Sequence, residues 1–239
     1  VSENPRSSVL VSIISLLIIV SAYFFYQYEV SLIVDENRSD LKAISNLKAE
    51  QLIRWREERI ADAAVVSTTS FVINDISELI NNHDSLRAKR KLAFFINKVR
   101  TAHKYNNIFI LSPTGEILFA IDNEIQAISE STASQLKTSA EKKQPLITDF
   151  YYCETEGRVH LDIIAPVRNA KRELIAFLLF RVNPEDYLYP FIQAPYSSKK
   201  TSETSIFKKD GDYAIYLNEL RNRSNTALKL KHSLQDTTV

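Results

Sequence analysis

The most constraining feature of this chain is a stretch without charge near its N-terminus. No charged residue lies between Arg6 and Glu29, and residues 9–28 read VLVSIISLLIIVSAYFFYQY. At a rise of about 1.5 Å per residue, about 20 such residues match the roughly 30 Å of a bilayer's hydrocarbon core. A helix also satisfies its own backbone hydrogen bonds, which lipid cannot do for it. We therefore predict a transmembrane helix over residues 9–28, after an N-terminal flank of residues 1–8.

Two other interpretations of the apolar stretch remain open. A cleaved signal peptide needs a site with small residues after a shorter apolar core. Ser21 and Ala22 are small, but the aromatic residues Tyr23 to Tyr26 follow them at once. Aromatic rings of this kind favour the boundary between lipid headgroups and hydrocarbon. The second alternative is a buried core helix in a protein outside the membrane.

The charges that flank the stretch predict its orientation. Arg6 precedes it, whereas Glu29, Asp35 and Glu36 follow it. Basic residues favour the cytoplasmic side, which puts the N-terminus in the cytoplasm. The predicted location is the plasma (inner) membrane, with residues from about 30 onward outside the cytoplasm.

Composition limits the classes of partner. The chain has 239 residues, enough for two domains, with 30 basic and 29 acidic residues and a net charge of +1. This balance gives no reason to expect a nucleic-acid partner. Cys153 is the single cysteine, so it forms no disulfide within the chain, and one thiol does not suggest a cysteine-based zinc site. Because the chain starts at Val1 and has no methionine, we expect it to be part of a longer receptor.

The rest of the chain begins with helical patterns. Apolar residues recur at helical spacing over 38–67, which predicts one long helix over residues 29–67 leading out of the membrane. Residues 71–81 and 86–103 are typical of two further helices, separated by Asn82-His83-Asp84.

Strand patterns then replace the helical ones. The runs at 105–111 and 116–121 flank the turn Ser112-Pro113-Thr114-Gly115, which predicts a hairpin. A polar helical segment follows at 130–143, and two more strands are predicted at 158–166 and 173–182. Helices followed by antiparallel strands predict an α+β fold. In it, the long helix covers one face of the sheet, and the other face, with the polar segment over it, encloses a small pocket.

A second unit is predicted near the C-terminus. Three prolines over residues 183–200 indicate a linker at 184–203 between a first domain at 68–183 and a unit at 204–239. The turn Asp210-Gly211 between two strand patterns predicts a hairpin there. We expect this second domain to be incomplete within the sequence.

Several segments together resemble a known family. The stretches LYPFIQ at 188–193, TSETSIFKKDGD at 201–212 and LNELRNRSNTAL at 217–228 resemble the double Cache type of sensor region, which has two PAS-like folds in tandem. The upstream stretches LKAEQLIRWREERIA at 47–61 and IFILSPTGEIL at 108–118, with HLDIIAPV, agree with it. Such regions are found in bacterial and archaeal transmembrane histidine kinases and diguanylate cyclases.

The resemblance implies an arrangement and a role. The first domain would be a membrane-distal PAS-like sensor, the second the start of a membrane-proximal one, and the long helix a signalling element. The full-length protein would be a histidine kinase or a diguanylate cyclase, with the output domain beyond the given residues. We expect a small-molecule ligand, the membrane and a second copy in a homodimer as partners.

The chain offers no motif for catalysis. Its three glycines, Gly115, Gly157 and Gly211, stand alone in turns, so no phosphate-binding loop of the glycine-rich kind is predicted. The four histidines show no metal-ligand spacing, and no serine lies in a nucleophile elbow. We therefore expect no catalytic residue, no metal ligand and no cofactor.

The best candidate for a ligand site is the strand Arg158–Pro166. Alternation puts His160 and Asp162 on one face of this strand, where they can pair and orient a small polar ligand. The alternative is a strand edge that faces solvent. Other candidate ligand-binding residues close or line the same space: Asp149, Tyr151, Tyr105, Phe109 and Arg181.

Three functional hypotheses follow. The first is a ligand-sensing module whose long helix carries the response to the membrane. The second is a structural or dimerisation ectodomain that responds to a protein partner, and a pocket filled by its own side chains would favour it. The third is a membrane-anchored enzyme, which detectable turnover or a bound metal would support.

Overall fold

The computed structural model describes residues 5–122, 128–154, 156–194 and 203–235. The chain divides into two compact units, Val1–Leu52 and Ile53–Val239. Helix α1 runs over Pro5–Thr68 and contains both the predicted membrane helix and the predicted long helix.

The N-terminal unit exposes its apolar side chains. In the described part of the chain, one helix is long and apolar enough to cross a membrane, and none of its apolar window is buried. Leu17, Ile19 and Phe25, for example, are each more than 60% exposed. Because a core helix would bury such residues, the interpretation as a core helix does not hold for this chain. A signal sequence passes the same test of length and composition, so that alternative stays open.

Two shorter helices follow α1 in the second unit. Helix α2 covers Ser70–Asn81 and α3 covers Leu86–His103, as the sequence predicts. Ser85 caps α3, because its hydroxyl accepts a hydrogen bond from the Ala88 amide at 3.3 Å. Lys104 ends α3 in the left-handed conformation that closes many helices.

A six-stranded antiparallel sheet forms the middle of the second unit. The strands are β1 (Asn107–Leu111), β2 (Ile117–Ala120), β3 (Leu146–Ile147), β4 (Tyr151–Cys153), β5 (Arg158–Arg168) and β6 (Leu174–Val182). Their order is β2-β1-β6-β5-β3, and β4 also pairs with β5. Helix α4 (Glu130–Lys142) joins β2 to β3 in the chain. The helices and the antiparallel sheet confirm the predicted α+β class, and the arrangement is consistent with a PAS-like sensor fold.

The sheet is buried on both faces near β5 and β6. Leu136 of α4 packs on one face, against a cluster that includes Phe109, Ile164 and Leu179. On the neighbouring position of β6, the ring of Phe180 contacts Tyr105 with centroids 5.2 Å apart. Successive strand residues point to opposite faces, so Leu179 and Phe180 belong to different packing layers.

The C-terminal part contains a second, three-stranded sheet. Its strands are β7 (Phe207–Asp210), β8 (Tyr213–Tyr216) and β9 (Lys231–Ser233), in that order. Asp210 pairs with Tyr213, so the two turn residues between β7 and β8 are Gly211 and Asp212 rather than the predicted Asp210-Gly211. Gly211 has a positive φ of 58°, which suits the first position of a two-residue hairpin turn. This confirms the predicted second hairpin.

The predicted linker at 184–203 contains a short helix. Helix α5 covers Leu188–Gln193 and buries Leu188 and Ile192. The Tyr189 hydroxyl donates to the Leu217 carbonyl, and Gln193 Nε2 donates to the Glu219 carbonyl at 3.0 Å. Prolines at 184 and 190 suggested a linker, whereas the helix is stabilised by contacts with a distant part of the chain. The division into domains at 68–183 and 204–239 stays a prediction.

Candidate ligand site

Asp162 is the centre of a buried polar arrangement on β5. Its side chain is fully buried, and Oδ2 accepts hydrogen bonds from the hydroxyls of Thr132 at 2.6 Å and Tyr151 at 2.8 Å. The Asp162 backbone amide donates to Thr148 Oγ1 at 2.9 Å. Asp162 therefore holds α4 and β4 against the middle of the sheet.

Arg181 supplies the positive charge. In the antiparallel pairing of β5 with β6, Arg181 lies opposite Asp162, and Arg181 Nε donates to Asp162 Oδ1 at 3.1 Å. Its Nη1 lies 3.3 Å from Glu156 Oε1. The guanidinium also lies 5.0 Å from the centre of the Phe109 ring, within the range of a cation–π contact. A single buried cation thus stands between two carboxylates.

Glu156 and His160 complete the arrangement. Glu156 Oε2 accepts a hydrogen bond from Asn106 Nδ2 at 3.1 Å and lies 3.2 Å from His160 Nε2. His160 is fully buried, and its Nε2 makes no hydrogen bond to Glu156 despite this short distance. We call Glu156, His160, Asp162 and Arg181 the charged cluster.

Burial and neighbouring charges shift the pKa values of Arg181, Tyr151 and His160. Burial opposes the charge of Arg181, but Asp162 and the other anionic neighbours outweigh it and raise the Arg181 pKa above its ordinary value. Burial and the charge of Asp162 raise the pKa of the Tyr151 hydroxyl, which keeps it a hydrogen-bond donor. Burial lowers the His160 pKa, although Glu156 opposes this, so the imidazole is neutral at pH 7.

The structure brings five of the seven predicted residues together. His160, Asp162, Tyr151 and Arg181 meet around the cluster, and Phe109 lies under the guanidinium. The complete burial of His160 and Asp162 excludes the alternative of a strand edge that faces solvent. That alternative is wrong because β3 and β4 pair with β5 along its outer side.

The other two predicted residues lie elsewhere. Tyr105 precedes β1, and its ring contacts Phe180 and lies 5.8 Å from the Arg59 guanidinium of α1. It therefore packs with Phe180, on the face of the sheet opposite to Phe109, and does not line the same space as Phe109. Asp149 is exposed and forms an ion pair with Lys208 at 2.6 Å. Neither residue touches the charged cluster in the contacts of the described residues.

Sequence reasoning missed Thr132 and Glu156. Thr132 lies in a polar helix, and no pattern sets it apart from Ser131 or Ser134. Glu156 lies in a turn, where carboxylates are common. The one signal in the sequence was the helix cap, because Ser129 accepts a hydrogen bond from the Thr132 amide at 3.1 Å and so orients this turn of α4.

A cleft lies beside the hairpin of β4 and β5. It has a volume of about 410 Å³ and is lined in part by Tyr152, Arg158, Glu185, Glu219 and Lys229. Tyr152 and Arg158 are neighbours of cluster residues in sequence, whereas the cluster itself does not line this cleft. The cleft and the charged cluster are therefore separate features.

Comparisons with known proteins give a likeness of fold. No family model matches the chain, and no curated protein matches its sequence. The chain is similar to the ligand-binding domain of the amino acid chemoreceptor PctC of Pseudomonas aeruginosa PAO1, solved with GABA. The TM-score is 0.51 at 16% identity, over 79% of this chain and 78% of that one.

Two further solved structures are more distant. The sensor domain of the V. cholerae histidine kinase DctB has a TM-score of 0.48 at 10% identity, over 64% of this chain and 57% of that one. The chain thus spans less than two thirds of the DctB domain. The sensory domain of the Campylobacter jejuni chemoreceptor Tlp3, with isoleucine bound, has a TM-score of 0.48 at 9% identity, over 72% of this chain and 66% of that one. On the PctC likeness, the chain has a fold similar to that of a chemoreceptor ligand-binding domain, consistent with the Cache resemblance of its sequence.

Proposed function

We propose that this chain is the extracytoplasmic sensing module of a transmembrane receptor, and that the charged cluster binds a small polar ligand. The observation that carries the proposal is the buried Arg181 between Asp162 and Glu156. A buried ion pair contributes little net stability, because desolvation offsets the attraction between its charges. Such a cluster is therefore better explained by recognition than by stability.

The chemistry of the cluster favours a zwitterion. A guanidinium binds a carboxylate through two parallel hydrogen bonds, and Asp162 and Glu156 suit an ammonium group. Tyr151 and Thr132 add hydroxyls that reorient to either group. An amino acid or a related amine with a carboxylate presents both charges, and GABA, with which the PctC domain was solved, belongs to this class.

Binding would change internal contacts. In this state, Asp162 is fully engaged by Thr132, Tyr151 and Arg181. A ligand that takes the Asp162 carboxylate must displace the Thr132 hydroxyl, which releases a contact between β5 and α4. The domain would then have two arrangements, one with and one without the contact between β5 and α4. The ligand would stabilise the arrangement without it.

The wider architecture is part of the proposal. The apolar segment of α1 would anchor the chain in the plasma membrane, with residues from about 30 onward outside the cytoplasm. The domains at 68–183 and 204–239 would form tandem PAS-like units in a homodimer. The receptor would be a histidine kinase or a diguanylate cyclase, and the segment itself carries no catalytic role.

A thermal-shift screen tests the proposal. The full chain in detergent is melted with amino acids, small carboxylates, amines and sugars. A ligand at 100 times its dissociation constant should stabilise the fold by about 2.7 kcal/mol. We expect a hit among zwitterions. A cooperative melt without any hit would contradict the proposal.

One observation favours a second function. The cluster is closed by its own side chains, and Asp162 and His160 are fully buried. This is what a structural or dimerisation ectodomain would show, in which the polar groups specify packing and a protein partner supplies the stimulus. Both functions allow a dimer, so a negative ligand screen with a cooperative melt is the result that would favour this alternative over sensing.

A further inference from the structure

Three potential metal ligands meet at the tip of the β4–β5 hairpin. Cys153 Sγ, a Glu156 carboxylate oxygen and a His160 ring nitrogen all lie within 4.8 Å of one another. Cys153 is a free thiol and half-buried, and His160 is fully buried. Zn²⁺ takes bonds of about 2.0–2.3 Å to such atoms, so ligand atoms around it lie roughly 3.3–3.8 Å apart. The pair His160 Nε2 and Glu156 Oε2, at 3.2 Å, already has about this separation.

The hairpin register explains why these residues meet. Tyr151 pairs with His160 and Cys153 pairs with Arg158, so Cys153 and His160 are diagonal neighbours on one face. The Gly157 amide donates to the Cys153 carbonyl at 2.8 Å and closes the turn that carries Glu156. Gly157 adopts a positive φ of 65°, which suits glycine. Backbone geometry, and not flexible side chains alone, therefore brings the three groups together.

His160 independently points to a missing ligand. The side chain is completely buried, and its Nε2 has no hydrogen-bond partner among the described residues. Buried polar atoms are nearly always satisfied, and an exception calls for an ion, a water or a function. Nε2 faces Glu156, which is a potential ligand to the same ion.

We propose that Cys153, Glu156 and His160 bind a divalent transition-metal ion such as Zn²⁺, with one coordination position left open. A thiolate and a carboxylate neutralise the two positive charges of the ion, and a neutral imidazole completes three protein ligands. Thiolate and imidazole favour zinc over magnesium or calcium, which prefer oxygen ligands. Three ligands plus an open position resemble the sites at which zinc also binds an exchangeable molecule.

Neighbouring residues hold the carboxylate in place. Arg181 Nη1 lies 3.3 Å from Glu156 Oε1, and Asn106 Nδ2 donates to Oε2 at 3.1 Å. Partners of this kind orient a metal ligand and strengthen its binding. This inference goes beyond the proposed function, although it shares Glu156 and His160 with the charged cluster. The metal is therefore tested by readouts that an organic ligand does not give.

The test uses the full chain, without a polyhistidine tag, after treatment with a chelator. We expect one equivalent of Zn²⁺ to bind and to slow the alkylation of Cys153, the single cysteine. Co²⁺ should give the charge-transfer absorption of a thiolate ligand, and Cys153→Ser should abolish it. Cys153 is only half-buried, so we expect Cys153→Ser to fold. A melt of the metal-free variant that matches that of the wild type would show this.

A matched pair of variants tests the site itself. Glu156→Gln should weaken Zn²⁺ binding by at least roughly 10–100-fold, because the loss of a residue that only orients a metal ligand already costs that much. Glu154→Gln, in the same turn, should bind like the wild type. The proposal would be overturned if Zn²⁺ left the alkylation rate of Cys153 unchanged. It would also be overturned if Glu156→Gln and Cys153→Ser bound Zn²⁺ as tightly as the wild type.

Discussion

Asp162 and Arg181 show how a buried pair can be costly to break and still contribute little stability. Both side chains are about 1% exposed or less, and Arg181 Nε lies 3.1 Å from Asp162 Oδ1. Removal of Asp162 leaves the buried Arg181 charge with only the contact between its Nη1 and Glu156 Oε1 at 3.3 Å. Replacement of both by apolar groups removes the desolvation cost as well.

The cost of a buried charge without its partner predicts the outcome of a double-mutant cycle. Asp162→Leu should lower the free energy of unfolding by about 3–5 kcal/mol, because Arg181 loses its main partner. Asp162→Leu combined with Arg181→Met should cost less than Asp162→Leu alone. Chemical denaturation of the three proteins measures this, and a double variant less stable than the single one would contradict it.

Tyr105 gives a prediction at alkaline pH. Burial is the main cause that raises its pKa to about 12, and the charge of Arg59 opposes the shift. Between pH 10 and 12, the unfolded chain therefore loses the phenol proton while the folded chain keeps it. The unfolded state is favoured as pH rises through this window, which removes up to about 3 kcal/mol of stability.

Tyr105→Phe should reduce the loss of stability between pH 10 and 12. At pH 7 it should cost at most about 1.5 kcal/mol, the net contribution of one hydrogen bond, because Arg59 is the neighbouring donor. Tyr213→Phe, at a site 49% exposed, is the control and should keep the alkaline slope of the wild type. Equal slopes for the wild type and Tyr105→Phe in pH-dependent denaturation would show that the phenol is not responsible.

The sequence predicted those cluster residues that lie on long strands. His160 and Asp162 follow from alternation along β5, and Arg181 from the end of β6. Glu156 could not be predicted, because its role depends on the turn that returns β4 toward β5. The meeting of Cys153 with His160 has the same origin: their separation in sequence has no metal-ligand pattern, and only the hairpin register makes them neighbours.

At the level of secondary structure, the short strands β3 and β4 determine whether the polar face of the long strand β5 meets solvent or the protein interior. The predicted strand at 158–166 corresponds to β5, which ends two residues later at Arg168. The sequence left open whether its polar face met solvent, because β3 and β4 have two and three residues and give no recognisable pattern. Their pairing with β5 closes the site, and it is a tertiary effect rather than a local one.

Helix α4 connects local sequence to the site through its cap. The Ser129 hydroxyl accepts from the Thr132 amide at 3.1 Å and lies 2.8 Å from the Thr132 hydroxyl, which donates to Asp162. Ser129→Ala should lower the free energy of unfolding by about 1 kcal/mol, as loss of such a cap does. Ser134→Ala, on the exposed side of the same helix, is the matched control. Thermal denaturation measures both, and equal effects would contradict a specific capping role.

For the molecule as a whole, the sequence predicted the order of helices and strands because each long element carries its own period. The apolar stretch, the helices at 71–81 and 86–103 and the two hairpins follow from local patterns. Helix α5 did not follow, since prolines dominate its surroundings and its stability comes from Tyr189 and Gln193, which reach Leu217 and Glu219. The predicted domain boundaries and the proposed homodimer depend on contacts that local patterns do not encode.

Two neighbouring tyrosines allow a direct test of whether the charged cluster receives a small polar ligand. Tyr151 donates to Asp162, whereas the adjacent Tyr152 is 39% exposed and lines the separate cleft. Because successive strand residues point to opposite faces, Tyr151→Phe and Tyr152→Phe remove the same atom from opposite faces of β4.

The measurement is the melting temperature of the full chain and of both variants with and without the strongest zwitterionic ligand of the screen. We expect a rise for the wild type and Tyr152→Phe, and a rise that is lost or much reduced for Tyr151→Phe. A rise that persists in Tyr151→Phe and disappears in Tyr152→Phe would contradict binding at the cluster and move the ligand to the cleft. The absence of a rise in the wild type would contradict sensing by this cluster altogether.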